Sequence, residues 1–119
     1  MTKTAHYDIA ENLIVRIAEI EVEHDRLDEY LQRAKDIATV SMDKEKGVIC
    51  LLPMRIKEKP NHLRILEIYR GEAAYQSHIK TEHFLKYKQS TADMVKDLRL
   101  IDMQALNYGD LSKIFRKLN

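Results

Sequence analysis

The sequence predicts a single α+β domain with the ferredoxin-like element order β-α-β-β-α-β and an antiparallel sheet. Three observations support this prediction. The chain of 119 residues has the length of one domain, β-branched apolar runs alternate with two amphipathic helical patterns, and turn-forming residues separate these segments. In this arrangement both helices lie on one face of the sheet, and the first and third strands lie in its centre. The predicted domain covers residues 13–106, between a flexible arm at 1–12 and a tail at 107–119.

The first strand and the first helix follow from their apolar patterns. Residues 13–22 are apolar at most positions, which is typical of a central strand that is covered on both faces. Arg16 and Glu19 interrupt this run, so we expect them to lie near a strand end, to pair with each other or to face a ligand pocket. From the N-cap residue Asp25 onwards, apolar residues spaced three and four apart form one face of a helix, which Gly47 ends.

The next two strands are predicted to form a hairpin. Residues 48–56 contain Pro53, which cannot donate to a hydrogen-bond ladder and therefore indicates an edge strand or a bulge. Pro60-Asn61 predict the hairpin turn, and residues 63–70 form the third strand.

The last part of the domain begins at Gly71, which ends the third strand. A short helix is predicted for residues 72–80. Thr81 then caps a longer helix, whose apolar stripe covers residues 84–98. Residues 99–106 form the last strand, and the tail is expected to add one or two basic amphipathic turns.

The second face of this sheet has no predicted cover within one chain. Both helices lie on the other face, although the central strands are apolar at most positions. A second copy of the sheet is the simplest cover, so we expect a homodimer.

The composition excludes several classes of function. Twenty basic and nineteen acidic residues give a net charge of +1 without a block of like charge, so no nucleic-acid partner is expected. No apolar run approaches the ~18 residues that span a bilayer, and the N-terminus lacks an apolar signal segment. Cys50 is the single cysteine, which excludes an intrachain disulfide and favours a reducing compartment. We therefore expect a cytoplasmic protein without membrane contact.

The residues with chemical potential concentrate between positions 65 and 87. Histidine titrates near neutral pH, so a histidine beside a pocket can act as a general base towards an acidic O–H group. His78 and His83 are the candidate bases, although each can equally be a structural histidine of its helix. Because strand residues alternate, Glu67 and Tyr69 share a face, where they can orient an aromatic ring or fix a histidine tautomer.

No metal or cofactor site is predicted. His78 and His83 are five residues apart with Thr81 between them, which is not the i, i+4 pair of a zinc-binding helix. Cys50 lies in an apolar strand without an adjacent base, so a nucleophilic role is not indicated. The three glycines are widely spaced and cannot form a phosphate-binding loop for a nucleotide cofactor.

A recognisable motif runs through the same stretch. Its residues are Glu67, Ile68, Tyr69, Ala73, Ala74, His78, Thr81, His83, Phe84 and Tyr87. This motif resembles that of the antibiotic biosynthesis monooxygenase family, in which a strand ending in Glu-x-Trp precedes an acidic-Ala turn and a His-x-x-Thr-x-His-Phe segment. The resemblance covers roughly residues 13–106 and is strongest to the quinol monooxygenases of that family. Tyr69 stands where many relatives have Trp.

The resemblance implies a dimeric α+β barrel that acts as a cofactor-independent monooxygenase on a quinol or a related aromatic molecule. A deprotonated, electron-rich ring can itself donate an electron to O2, so no prosthetic group is expected. The candidate catalytic residues are His78, His83 and Glu67, and the candidate substrate-binding residues are Tyr69, Arg16, Tyr87 and Phe84.

Other activities on the same fold stay open. Haem degradation is disfavoured, because the first strand has no Asn, Tyr69 replaces a Trp, and Lys88 falls near the position of the haem ligand. An isomerase of a small phosphorylated carbonyl compound is one alternative, with Arg16, Arg64 or Lys86 in contact with the phosphate. A non-catalytic homodimer that binds a small ligand is the other.

Overall fold

The computed structural model describes residues 12–119. The predicted N-terminal arm therefore lies outside the described residues, apart from Asn12. In chain order the elements are β1 (Ile14–Val22), α1 (Leu27–Lys44), β2 (Val48–Ile56), β3 (Lys59–Tyr69), α2 (Glu72–His78), α3 (Glu82–Thr91), β4 (Val95–Met103) and α4 (Leu111–Ile114). Single turns of 3-10 helix stand at His24–Arg26, Tyr108–Asp110 and Arg116–Leu118. Within residues 12–119, no helix has both the length and the apolar character that crossing a membrane requires.

The strands form one antiparallel sheet in the order β2-β3-β1-β4. This order, with helices after β1 and after β3, confirms the predicted ferredoxin-like α+β fold. β2 lies at an edge of the sheet. Pro53 is tolerated there because an edge strand has a neighbour on one side only, so the missing N–H need not break a ladder hydrogen bond. The register pairs Val48 with Tyr69, so the start of β2 lies beside the end of β3. The loop before β2 and the chain after β3 therefore meet at the same end of the sheet.

The boundary between α3 and β4 differs from the prediction. The helical stripe predicted to reach Leu98 is wrong, because α3 ends at Thr91 and β4 begins at Val95. A turn separates them, in which Met94 N donates to Thr91 O over 2.9 Å. Met94 is fully buried in this turn, so its apolar side chain belongs to the core without belonging to a helix.

The hairpin between β2 and β3 is tighter than predicted. β3 begins at Lys59, so Pro60 and Asn61 lie within the strand and the turn contains Lys57 and Glu58. The buried Asn61 side chain donates to Val22 O over 3.1 Å. A side-chain hydrogen bond to the neighbouring strand thus stabilises a Pro-Asn pair that would otherwise favour a turn.

The main core lies between the sheet and the helices. Alternate side chains of β1 and β3 point towards α1, α2 and α3, as the period of two requires. The buried members of this core include Ala18, Ile20, Val22, Tyr30, Ala34, Ala38, Leu63, Ile65, Tyr69 and Met94. At about 25 cal/mol per Å² of buried apolar surface, this layer is the principal source of stability of the domain.

The second face of the sheet is partly covered by the C-terminal segment, residues 107–119. Leu111 packs against a buried cluster of Leu13, Ile49, Cys50 and Ile68, and Phe115 and Leu118 extend this contact. The expected short helical turns of the tail are confirmed. The tail covers only part of the face, since Leu52 and Met54 further along β2 remain 48% and 44% exposed, and Met103 on the edge strand β4 remains 49% exposed.

Candidate functional site

A cavity of about 350 Å³ lies between the helices and the sheet. Most of its wall is apolar, with residues from the sheet, α1, α2 and α3. The side chains with polar groups in its lining are Tyr30, Glu67, Tyr69, Tyr75, His78, Tyr87, Lys88 and Thr91. Leu98 and Leu100 of β4 line the cavity and are 40% and 52% exposed, so the cavity opens to solvent beside this edge strand. An apolar cavity with a few convergent polar groups is typical of a small-molecule site.

His78 is the last residue of α2, and its imidazole forms part of the cavity wall. The residue is 2% exposed, and its ring centroid lies 5.3 Å from that of Tyr69 and 5.0 Å from that of Phe84. Thr81 fixes the chain after it, because its hydroxyl donates to His78 O over 2.7 Å and accepts from Phe84 N over 3.2 Å. These contacts hold the ring in one place between strand and helix.

Glu45, in the loop between α1 and β2, joins the two candidate bases. Its Oε2 atom lies 3.0 Å from Nδ1 of His78 and 2.6 Å from Nε2 of His83. Burial opposes ionisation of this carboxyl, but the hydrogen bonds with His83 and His78 outweigh it and lower the pKa of Glu45 below its usual value. A neutral imidazole that donates from Nδ1 carries its lone pair on Nε2. Ionised Glu45 therefore favours a tautomer of His78 that can accept a proton at Nε2.

Glu45 was not among the residues that the sequence analysis singled out. It lies 33 residues before His78 and belongs to no motif. The sheet topology carried a signal, however, because the chain before β2 and the chain after β3 meet in this fold. A carboxylate two residues before Gly47, the residue expected to end the first helix, was therefore the natural partner for a histidine after Tyr69.

The same three side chains are the donor set that could hold a metal ion. The ligand atoms of Glu45, His78 and His83 all lie within 4.8 Å of one another. Two imidazoles and one carboxylate suit zinc or iron(II). Without an ion, the carboxylate is the hydrogen-bond partner of one nitrogen of each ring. The expectation of no metal site stays a prediction.

Glu67 and Tyr69 form the second polar pair of the cavity. The Tyr69 hydroxyl donates to Glu67 Oε1 over 2.7 Å. Burial raises the pKa of Glu67, while the hydrogen bond from Tyr69 acts in the opposite direction. The two side chains share one face of β3, as the alternation of strand residues indicated. The partner of His78 Nδ1 is nevertheless Glu45, and not Glu67.

The other candidate residues fall inside and outside the cavity. Phe84 and Tyr87 line it, and the Tyr87 hydroxyl lies 2.6 Å from that of the buried Tyr30. Arg16 is not part of the lining, and it does not form the expected pair with Glu19: it pairs with Asp102 over 2.9 Å, while Glu19 pairs with Arg64 over 3.2 Å. The Arg16 guanidinium lies 4.8 Å from the ring centroid of Tyr75. His83 also lies outside the lining, and its side chain is 22% exposed. The structure thus places five of the candidate residues in the lining of one cavity, namely His78, Glu67, Tyr69, Phe84 and Tyr87. Arg16 and His83 are not part of this lining.

Several solved structures share this fold. A candidate antibiotic biosynthesis monooxygenase from Bacteroides thetaiotaomicron is 52% identical, with 82% of this chain and 92% of that chain aligned and a TM-score of 0.80. A candidate monooxygenase from Lactobacillus acidophilus is 27% identical over 78% of this chain and 44% of that one, with a TM-score of 0.76. A structure from Nitrosomonas europaea is 18% identical, covers 80% and 91% of the two chains, and has a TM-score of 0.74, which shows the fold alone. Among curated protein sequences, none matches this chain.

The family model for antibiotic biosynthesis monooxygenases matches residues 13–90. This range is most of the chain and contains both the cavity lining up to Lys88 and the Glu45–His78–His83 cluster. Together with the 52% identical structure, the match establishes the relationship that the motif indicated. This chain belongs to the antibiotic biosynthesis monooxygenase family.

Proposed function

We propose that the protein is a cofactor-independent monooxygenase that oxidises a quinol or a related aromatic molecule with O2, and that His78 is its general base. The observation that carries the proposal is the placement of His78. Its ring is buried in the wall of an apolar cavity, and its Nδ1 atom is held by Glu45. A base that is aimed by a carboxylate and faces an apolar space is suited to take a proton from a bound hydroxyl group.

The chemical step needs the substrate, O2 and a base. Nε2 of His78 accepts the proton of one ring hydroxyl, and the resulting anion donates an electron to O2. The two radicals combine to form a C–O bond at a free ring carbon, and the resulting peroxide takes back the proton held on Nε2 of His78. Loss of the C–H proton at that carbon then forms a C=O bond as the O–O bond breaks, and the outer oxygen leaves as water. For a quinol with a free C–H position the overall change is quinol plus O2 to hydroxyquinone plus water. The ring supplies all four electrons that O2 accepts.

The cavity supports an aromatic substrate. Its volume of about 350 Å³ lies within the usual range for small-molecule sites. The rings of Tyr69, Phe84 and Tyr87 offer edges and faces for an aromatic ring. Glu67 reaches the same space with a raised pKa, so it can hydrogen-bond to a second hydroxyl group of a quinol. His83 does not line the cavity, but as the second hydrogen-bond partner of Glu45 it helps to hold that carboxylate in place.

Lys88 is the observation that favours the alternative function, an isomerase. It is the cationic side chain in the lining, and an isomerase acting on a phosphorylated carbonyl compound would need such a charge near its phosphate. Arg16 does not line the cavity, which weakens the phosphate contact suggested for it. Glu67 in the same space disfavours an anionic ligand whenever it is ionised.

We also propose that the protein works as a cytoplasmic homodimer. The exposed apolar side chains on the second face of the sheet, including Leu52, Met54 and Met103, would be buried by a second copy. A partner there would leave the cavity on the helix-covered face of each chain.

Oxygen uptake tests the activity directly. Purified protein, dialysed against a chelator, is mixed with a panel of quinols and hydroxylated polycyclic aromatics, with the aromatic compound alone as the blank. We expect consumption of one O2 per hydroxyquinone formed, without added flavin, haem or metal. An activity that appears only after one of these is added would overturn the proposal. Turnover of a phosphorylated carbonyl compound without oxygen uptake would favour the isomerase.

A further inference from the structure

We propose that Lys117 is a positioning residue for His78, acting through the loop that carries Glu45. This inference rests on the proposed role of His78 as the base. It concerns a segment beyond the family match, which ends at residue 90. Lys117 does not touch the cavity; it contacts the backbone of the loop that holds the carboxylate.

Lys117 ties three backbone positions together. Its ammonium group donates to the carbonyl oxygen of Met42, to Glu45 O over 2.8 Å and to Val48 O over 2.7 Å. A lysine has three N–H donors, and all three are used here. The carbonyl of Met42 belongs to the last turn of α1, where such groups lack helical partners and a cation is favoured. The ammonium group thus fixes the path of the chain from the end of α1 to the start of β2.

The ammonium group is needed for this geometry. Burial lowers the pKa of Lys117, while the nearby Glu45 charge acts in the opposite direction. A partly buried cation is tolerated when it is hydrogen-bonded. If the ammonium is removed, three carbonyls that now converge on one cation lose their common partner. Backbone bonds such as Glu45 N to Ser41 O and Arg70 N to Gly47 O remain, but without the ammonium group the loop can shift, and the Glu45 carboxylate shifts with it.

The rest of the C-terminal segment holds Lys117 in place. The Arg70 guanidinium donates to Lys117 O over 2.6 Å, which ties the segment to the chain just after β3. On either side of Lys117, Phe115 and Leu118 pack against the cluster on the second face of the sheet. The segment therefore contacts both the chain just after β3, which leads into α2 and His78, and the loop before β2, which carries Glu45.

A small shift of the loop that carries Glu45 is enough to break its hydrogen bonds with the two histidines. Glu45 Oε2 contacts His78 Nδ1 over 3.0 Å and His83 Nε2 over 2.6 Å. A displacement of about 1 Å would break such hydrogen bonds, and misplacement on that scale can cost up to ~10²-fold in rate. Without the carboxylate, neither tautomer of His78 is selected, and the fraction with a lone pair on Nε2 falls.

The experiment compares Lys117→Met with Lys113→Met. Lys113 lies in the same segment and pairs with Asp110 over 2.8 Å at an exposed position, so it controls for loss of a positive charge. The first measurement is the ¹⁵N spectrum of the His78 ring, which needs no substrate. We expect Nδ1–H to dominate in the wild type and in Lys113→Met, and a mixture of tautomers in Lys117→Met. Unchanged His78 ring signals in a folded Lys117→Met protein would overturn the proposal.

A double-mutant comparison gives the second measurement. We expect Lys117→Met to lower kcat about 10-fold with little change in KM. We expect Glu45→Gln with Lys117→Met to be no slower than Glu45→Gln alone, because both act on the same step. Additive losses, or a lower Tm with kcat unchanged, would show that Lys117 is only structural and would contradict the inference.

A second variant covers the case in which Lys117→Met does not fold. Arg70→Gln removes the bond to Lys117 O without changing the ammonium group, and it should shift the tautomer mixture in the same direction by a smaller amount. A wild-type His78 spectrum in Arg70→Gln would count against the proposal. If the protein has no oxygenase activity, the ¹⁵N comparison still decides whether Lys117 positions His78.

Discussion

The two faces of the sheet are covered in different ways. On the helix-covered face, the chain closes its own core but leaves a cavity of about 350 Å³ with several polar groups in its wall. On the opposite face, the C-terminal segment covers one end, and the remainder carries exposed apolar side chains. The first face has unfilled space inside a single chain, whereas the second has uncovered surface. We infer that the first face serves chemistry and the second serves assembly and positioning.

The charged groups of the two faces also differ in their exposure to solvent. On the opposite face, Glu19 pairs with Arg64 over 3.2 Å and with Arg99 over 3.7 Å, at a surface that water can reach. Pairs of this kind contribute little to stability, but they can set the register of an interface. On the cavity side, Glu45 is more deeply placed, with 13% of its side chain exposed, and its partners are the two histidines.

The largest expected effect separates the two histidines of the helix-covered face. His78→Gln should lower kcat/KM by ~10²-fold or more, because the general base is lost while a neutral polar side chain of similar length still occupies the cavity wall. His83→Gln should cost less than ~10-fold, since His83 lies outside the cavity and acts only through Glu45. Steady-state oxygen uptake at matched concentrations of folded protein measures both. Equal losses of kcat/KM in the two variants would contradict the assignment of His78 as the base and of His83 as a residue that acts through Glu45.

The second expected effect concerns the opposite face. Leu52 is 48% exposed there, and Leu52→Glu would place a charge in the proposed interface, where burying it without a partner is costly. We expect wild-type protein to have the mass of two chains by light scattering at micromolar concentration, and the variant to have the mass of one. Leu85→Glu, at a 50% exposed position on α3, is the matched control and should leave the mass unchanged. A single-chain mass for the wild type would refute the dimer.

A third, smaller effect tests the junction that supports the site. A Cβ atom at Gly47 would lie 2.5 Å from Cβ of Ala74 in α2, whereas one at Gly109 would meet nothing within 4 Å. Gly47→Ala must therefore push α2 away from the loop, and overpacking of this kind costs ~1–3 kcal/mol. Gly109→Ala should be close to neutral. Urea unfolding of the two variants measures the difference, and equal stabilities would mean that α2 and the loop are not in close contact.

The smallest effect is the pH dependence of stability that Glu45 contributes. Its pKa is lowered in the folded protein, so its contribution is fully present above the unfolded pKa and is lost as the pH falls through the folded pKa. The stability difference between wild type and Glu45→Gln, on the order of 1 kcal/mol near neutral pH, should therefore shrink in acid below about pH 4.5. Glu67 is present in both proteins, so its own raised pKa cancels. A difference that is constant down to pH 3 would show that Glu45 is not held in its ionised form.

The sequence was sufficient for the fold because the fold depends on local patterns. The alternation of residues 63–70, the breaker at Gly71 and the cap at Thr81 each act within a few positions, and all three appear in the structure. Pro60-Asn61 and Met94 misled the prediction for a common reason. The Asn61 side chain bonds to β1 and Met94 is buried in the core, so distant contacts decided their local structure.

The candidate site was only half predictable. Alternation along β3 placed Glu67 and Tyr69 together, and the motif identified His78. Glu45 and Lys117 could not be found in the same way, because their roles arise from contacts between segments 33 and 72 residues apart. Periodicity reports which residues face the core, but it does not report which loops meet.

The most direct test of the account is the ¹⁵N spectrum of the His78 ring while a redox-inert phenol is titrated into the wild-type protein. His62, a surface histidine near Glu21, serves as the internal control. We expect the free protein to show Nδ1–H with an unprotonated Nε2, and we expect Nε2 of His78 to shift as the phenol binds while His62 stays unchanged. An Nε2–H tautomer in the free protein, or a bound phenol that leaves the His78 signals unmoved, would contradict the assignment of His78 as the base.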